Sequence, residues 1–282
     1  MPELSDYKDV DDIFGKHPEN GLFASYLKAE DSPTLNNIPH RALSLDPAED
    51  GQTLEQIRRA LVKHHASKKM LDRDKKMIEK LCAIGYSSFD KNWPHRFPKS
   101  DKTRKGNLGE IFLAEYICAA SGADLPVYRL HYNPNVEQSM KGDDVLAFNL
   151  SSRSSRIIIG EAKFRKITDK KVIEDVVGAL IRSYQAGLPV SLQFVVDRLY
   201  DEGKVELAEQ VENCAIKMAQ GNLELNYVGL IFGDNRSKER VHQNTAAELE
   251  KFVMISFGVD DPEKLASDCF DRIEELAYGN SD

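Results

Sequence analysis

Apolar residues recur along this chain with two periods, and the places where the period changes mark its elements. Between residues 107 and 121, Leu108, Ile111, Phe112 and Ala119 fall on one helical face, interrupted only by Glu115. Residues 172–187 repeat the pattern with Val176, Val177, Leu180, Ile181 and Tyr184. Between these helices, apolar runs at 127–132, 144–150 and 156–164 predict three strands. Helices are expected at 191–200 and 204–220, followed by a strong strand at 226–234 that would be the fourth of the core sheet. A fifth strand is expected at 252–257, and a closing acidic helix at 262–278.

Upstream of this core the pattern weakens. Leu54, Ile57 and Leu61, then Met70, Met77, Ile78 and Leu81, predict two helices. Residues 1 to 50 read as irregular and Pro-rich, with turns at Asn36-Asn37-Ile38-Pro39 and Asp46-Pro47. Gly85 and the segment 93–98 form a connector that Trp93 and Phe97 dock onto the core. The adjacent His64 and His65 would point to different sides of a helix, which argues against a shared metal. The expected organisation is a partly irregular, helical extension over residues 1–98 and an α/β domain over 99–282.

Chemistry concentrates on two of the strands. Asp143 and Asp144 open the run Val145-Leu146-Ala147-Phe148, and Glu161-Ala162-Lys163 closes the run Ile157-Ile158-Ile159-Gly160. Strand side chains alternate, so Glu161 and Lys163 share a face. If the two runs pair, an acid at the start of the first lies about one strand spacing, ~5 Å, from Glu161. Asp144 abuts the apolar strand directly and is the favoured acid; Asp143 stands as the alternative, in the turn before it. Two carboxylates and a lysine suit Mg²⁺, which keeps several waters and is usually held by one or two carboxylates plus substrate phosphate. Such an ion activates water and offsets charge at phosphorus, the requirements of phosphodiester hydrolysis. The same residues as a solvated strand-end ion pair would contribute only about 0–1 kcal/mol.

The ordered set resembles the PD-(D/E)XK nuclease superfamily, whose restriction-endonuclease-like core is a mixed central sheet flanked by helices. That resemblance makes Glu110, on the first core helix, an auxiliary acid beside Asp144, Glu161 and Lys163. Leu108-Gly109-Glu110, Tyr128-Arg129-Leu130-His131, Lys141-Gly142-Asp143-Asp144 and Gly160-Glu161-Ala162-Lys163-Phe164-Arg165 together are similar to the nuclease subunit of the Hachiman anti-phage defence system. The likeness implies a DNA substrate, Mg²⁺ with Mn²⁺ as a substitute, and a superfamily 2 helicase partner that holds the nuclease inactive until abnormal or phage DNA is engaged. His131, on the expected first strand, is a further candidate for the site. Arg165, Lys166 and Lys105 are candidates for phosphate contact, and Arg182, Tyr184 and Gln185 for lining a groove. The Gln-x-x-x-Tyr pattern of some relatives is absent from this helix. The alternatives are a non-catalytic DNA-binding or scaffold subunit and a sequence-specific restriction-type endonuclease.

Composition narrows these readings. The 282 residues are 41% hydrophobic and 30% charged, proportions of a folded soluble chain. Its apolar runs fall far short of the ~20 residues a membrane helix needs, and its acidic start lacks the character of a secretory signal, so a cytoplasmic location is expected. Cys82, Cys118, Cys214 and Cys269 are scattered and read as reduced, mostly buried thiols. The net charge of −8 argues against a protein that coats nucleic acid by itself. The charge is uneven, however: residues 1–50 hold 11 acids against 4 Lys/Arg, and residues 51–80 hold 9 Lys/Arg against 4 acids. DNA would therefore meet the basic middle of the chain. No phosphate-cradling Gly-rich or Walker motif is present, so ATP-driven work would fall to a partner.

Overall fold

A computed structural model describes residues 9–45, 50–86, 95–150 and 155–279. In chain order the elements are α1 (Val10–Ile13), α2 (Leu22–Tyr26), β1 (Leu27–Pro33), β2 (Pro39–Leu45), α3 (Asp50–His65), α4 (Lys68–Ala83) and α5 (Asp101–Ser121). Next come β3 (Val145–Leu150), β4 (Ser155–Phe164), α6 (Lys170–Ala186), α7 (Leu192–Asp201), α8 (Val205–Ala219) and β5 (Leu223–Asp234). The chain continues through α9 (Ser237–Asn244), β6 (Phe252–Val259), α10 (Pro262–Phe270) and α11 (Ile273–Tyr278). The strands form one mixed six-stranded sheet in the order β1-β2-β6-β5-β4-β3. The central neighbours are parallel, while β1 and β3, at the two edges, run antiparallel to β2 and β4.

Helices cover both faces, as strands apolar on both sides require. On one face Val145, Ile158, Val228, Phe232 and Phe257 pack under Leu108, Phe112 and Leu113 of α5. On the other, Leu146, Ile157, Ile159, Tyr227 and Met254 pack under Val176 and Leu180 of α6 and Val195 of α7. Helix α5 is enclosed by α3 and α10 as well as by the sheet. It buries Leu108, Ile111, Leu113, Tyr116 and Ile117, which lie almost all round it. Gly160 sets how close α5 comes to β4: a Cβ there would sit 2.9 Å from Leu113 Cδ2 and 3.1 Å from Ile117 Cδ1. That close approach brings the Glu110 end of α5 against the strands bearing Asp144 and Glu161.

The structure corrects three expectations. Residues 1 to 50 are not irregular where described: they supply two short helices and the paired strands β1 and β2, which join the central sheet through β6. The expected strand at 127–132, and with it the strand position of His131, is instead a coil ending in a single tight helical turn, Arg129–Tyr132. Asp124 forms an isolated bridge with Phe148, but Pro126 has no N–H to extend a ladder beyond it. The expected helix at 262–278 is two helices, broken at Arg272, whose φ is 46°. Phe270 and Ile273 both turn inward at the break. The Asn36-Asn37-Ile38-Pro39 turn joins β1 to β2, and Phe97 is buried against His65 with ring centroids 5.3 Å apart. Asp46-Pro47 and Trp93 lie outside the described residues.

Candidate active site

The β3–β4 edge brings the acids together by register. Val145 pairs with Gly160, so Asp144 and Glu161 stand one step beyond that pair on adjacent strands. Asp144 Oδ2 accepts the Ala162 N–H at 3.0 Å, closing the ladder with a side chain. Glu161 and Lys163 project to the α6/α7 face by the same alternation that sends Ile157 and Ile159 into its core. Lys163 Nζ donates to Glu161 Oε1 and reaches the Ala162 carbonyl at 3.4 Å. From the opposite face, Glu110 of α5 points to the same edge and pairs with Arg129 Nε at 3.4 Å.

This edge gathers more carboxyl groups than cations. Burial pushes the Glu110 carboxyl up to about 8; Arg129 opposes the rise, while Asp144 and Glu161 add to it. Burial, then Asp144, pushes Glu161 up to about 7 against the pull of Lys163. Strong shifts caused by burial and like charge beside a cleft are a mark of functional sites. The cleft, of about 200 Å³, is lined by Glu110, Arg129, Asp143 and Asp144, with Leu146, Val190 and Phe194 as apolar walls. Its acidic donors are Glu110, Asp143 and Asp144, whose carboxylate oxygens suit hard divalent cations. Among the described residues no three His, Cys, Asp or Glu side chains are drawn close enough to cage an ion. A cation held here would rest on one or two carboxylates and water.

The other candidates have different surroundings. Asp143 is engaged in anchoring its own loop. Its carboxylate accepts the Ser191 N–H at 2.9 Å and the Ser183 hydroxyl at 3.3 Å, and its N–H donates to Ser191 Oγ at 2.9 Å. His131 turns away from the acids, with Nε2 2.8 Å from the Lys63 carbonyl. Lys105 and Lys166 converge on Glu263, at 2.7 and 2.8 Å. Arg165 Nη1 donates to the Phe164 carbonyl at 2.8 Å. Arg182, Tyr184 and Gln185 are exposed on α6. His64 and His65 are both buried: His64 meets Glu115 at 2.7 Å, and His65 meets the Leu61 carbonyl at 2.8 Å and Asn107 at 3.0 Å. Cys82 is exposed, Cys118 half-buried, and Cys214 and Cys269 buried, all as free thiols.

Arg129, Ser183 and Ser191 were missed by sequence reasoning. Their partners lie 11 to 48 positions away, so no local pattern announces them. The nearest signal was Gly142 before the two aspartates. Its φ is 113° and an added Cβ would fall 2.5 Å from Ser191 Oγ, so the turn requires glycine.

The profile of the HamA family matches residues 22–273, which take in the whole of this edge. The chain belongs to the HamA family. It is 36% identical over 267 residues to the Hachiman protein HamA of Bacillus cereus, an alignment that covers 94% of this chain and 95% of that protein. Among the described residues no helix is long and apolar enough to cross a membrane.

Proposed function

We propose that this HamA-family chain is a Mg²⁺-dependent deoxyribonuclease and the effector of an antiviral defence complex. The observation that carries the proposal is the crowding of Asp144, Glu161 and Glu110 at one strand edge, with two of the three carboxyls raised and a lysine on the same face. Asp144 and Glu161 would hold the ion and Glu110 would assist. When bound, Mg²⁺ lowers the pKa of a water and offsets charge at the phosphorus. Lys163 is placed to orient the attacking water or to stabilise the transition state once its tie to Glu161 loosens. The succession α5, β3, β4, α6, β5 supports a PD-(D/E)XK core, from which this chain departs by lacking a strand at 127–132.

Arg165, Lys166 and Lys105, beside the end of β4, are the proposed phosphate contacts, with Glu263 displaced as DNA arrives. Lys68, Lys69, Lys75, Lys76 and Lys80 of α4 are exposed and are further candidates for phosphate contact. The lack of ATPase motifs and the likeness to the Hachiman nuclease subunit support a superfamily 2 helicase partner in the cytoplasm that restrains cutting until abnormal DNA is engaged. The tie of Lys163 to Glu161, which occupies both groups as a structural ion pair would, favours a second reading, a non-catalytic DNA-binding subunit.

Supercoiled and linear DNA incubated with the chain, alone and with its co-purified partner and ATP, in Mg²⁺ or in EDTA, tests these readings. Cutting that needs Mg²⁺ and is held back by the partner is expected. A smear rather than fixed ends would set aside the restriction-type alternative. Equal cutting by chain and complex, with and without ATP, would refute restraint. No cutting under any condition, with retained DNA binding, would leave the binding-subunit reading.

A further inference from the structure

Arg129 makes three polar contacts around this centre. Its Nε faces Glu110 Oε1 at 3.4 Å, its Nη2 donates to the Met140 carbonyl at 2.8 Å, and its Nη1 donates to the Asp143 carbonyl. The side chain is only 15% exposed, as is that of Glu110. Glu110 rides on a helix that its own apolar contacts fix to the sheet, whereas Asp144 follows a glycine turn that the Asp143–Ser191 pair secures on its far side. A guanidinium offers five N–H donors in a planar fork, enough to serve a carboxylate and two carbonyls at once; an ammonium is a point charge without that geometry.

We infer that Arg129 is a positioning residue: it clamps the acid on α5 to the turn before Asp144, so that acids from two faces of the sheet are presented to one ion. This inference rests on the metal-dependent reading above and goes beyond it by naming what aligns the donors. Partners that orient metal-ligating side chains typically matter about 10–100-fold in metal affinity or activity. A displacement of about 1 Å in such a centre can cost about 10²-fold in rate.

The test compares wild type, Arg129→Ala and Arg129→Lys for Mn²⁺ binding, read from the free-ion signal in electron paramagnetic resonance, for DNA cleavage and for thermal unfolding. Arg129→Ala should weaken Mn²⁺ binding by about 10-fold or more and slow cleavage by about 10²-fold, with its melting transition preserved. Arg129→Lys, which keeps the charge but not the fork, should recover only part of both. Wild-type Mn²⁺ affinity in a folded Arg129→Ala protein would overturn the inference. If that variant fails to fold, wild-type affinity in Arg129→Lys would overturn it instead. Those results leave the nuclease reading standing. If wild type itself binds no Mn²⁺ and cuts no DNA, the metal-dependent reading fails and takes the inference with it.

Discussion

Near the β1–β2 edge of the sheet, the buried guanidinium of Arg41 faces Asp31, its cross-strand partner, at 2.6 Å, Asp11 at 2.8 Å and the Gly15 carbonyl at 2.9 Å. Burial works against its charge, but the hydrogen bond and charge of Asp31, with Tyr116 beside it, outweigh burial and hold the cation well above its ordinary range. At the β3–β4 edge, Asp144, Glu161 and Glu110 share Arg129 and Lys163, and two of the acids are pushed toward neutrality. Both edges enclose ions. The first satisfies its single buried cation several times over and reads as structure; the second gathers more carboxyls than cations, and on it rests the proposed metal-dependent reading.

The largest effect on stability is therefore expected from the satisfied edge. Arg41→Ala strands two carboxylates and opens a void, and should cost about 3–5 kcal/mol in urea unfolding. A loss below about 1 kcal/mol would mean that the cluster is only a solvated ion pair. Next comes the packing beneath the cleft: Gly160→Ala presses a methyl group into Leu113, Val145 and Ile117 and should cost about 1–3 kcal/mol. It should also reduce cleavage by shifting α5 and Glu110.

Smaller again is the response to acid. Burial depresses His40, on β2, and His65, on α3, to about 4. The unfolded chain then binds more protons than the folded one as pH falls below about 6.5, so the stability these neutral rings contribute is present above that pH and lost as pH falls toward 4. The contribution of His40 alone should fall by about 2 kcal/mol between pH 7 and 5, read as the slope that His40→Asn removes, because the raised carboxyls of Glu110 and Glu161 act with the opposite sign in the same window. No loss is expected at Glu161→Gln, which removes an acid that burial and then Asp144 already disfavour and should leave stability equal to or above that of wild type. A large loss there would show Glu161 to be a structural ion-pair member and would erase the contrast between the edges.

The two edges also differed in how far the sequence disclosed them. β4, β5, β6 and α6 were legible because unbroken apolar runs and a 3.6-residue stripe carry their own signal. Asp144, Glu161 and Lys163 were legible as a group because strand alternation and antiparallel pairing are local rules. By contrast, β1 has a single buried residue, Leu27, among polar neighbours, and β2 buries His40 and Arg41, so neither displays an apolar period. β2 takes its strand character from pairing with β6, more than 200 positions away, and β1 from pairing with β2. Residues 127–132 read as a strand, but Pro126 breaks the pairing begun at the Asp124–Phe148 bridge and Arg129–Tyr132 closes into a helical turn. Arg129 was hidden because its role exists only once α5 and the 140–143 turn meet.

The central claim, that the carboxyl-rich edge is a metal-dependent nuclease centre, is tested most directly by comparing DNA cleavage in Mg²⁺ by wild type and by Glu161→Ala/Lys163→Ala, each with and without co-purified partner and ATP. Wild type should degrade DNA in at least one of these states, and the double variant should lose that activity by about 10³-fold or more while melting like wild type. A folded double variant that cuts as well as wild type would contradict the account and place the chemistry elsewhere.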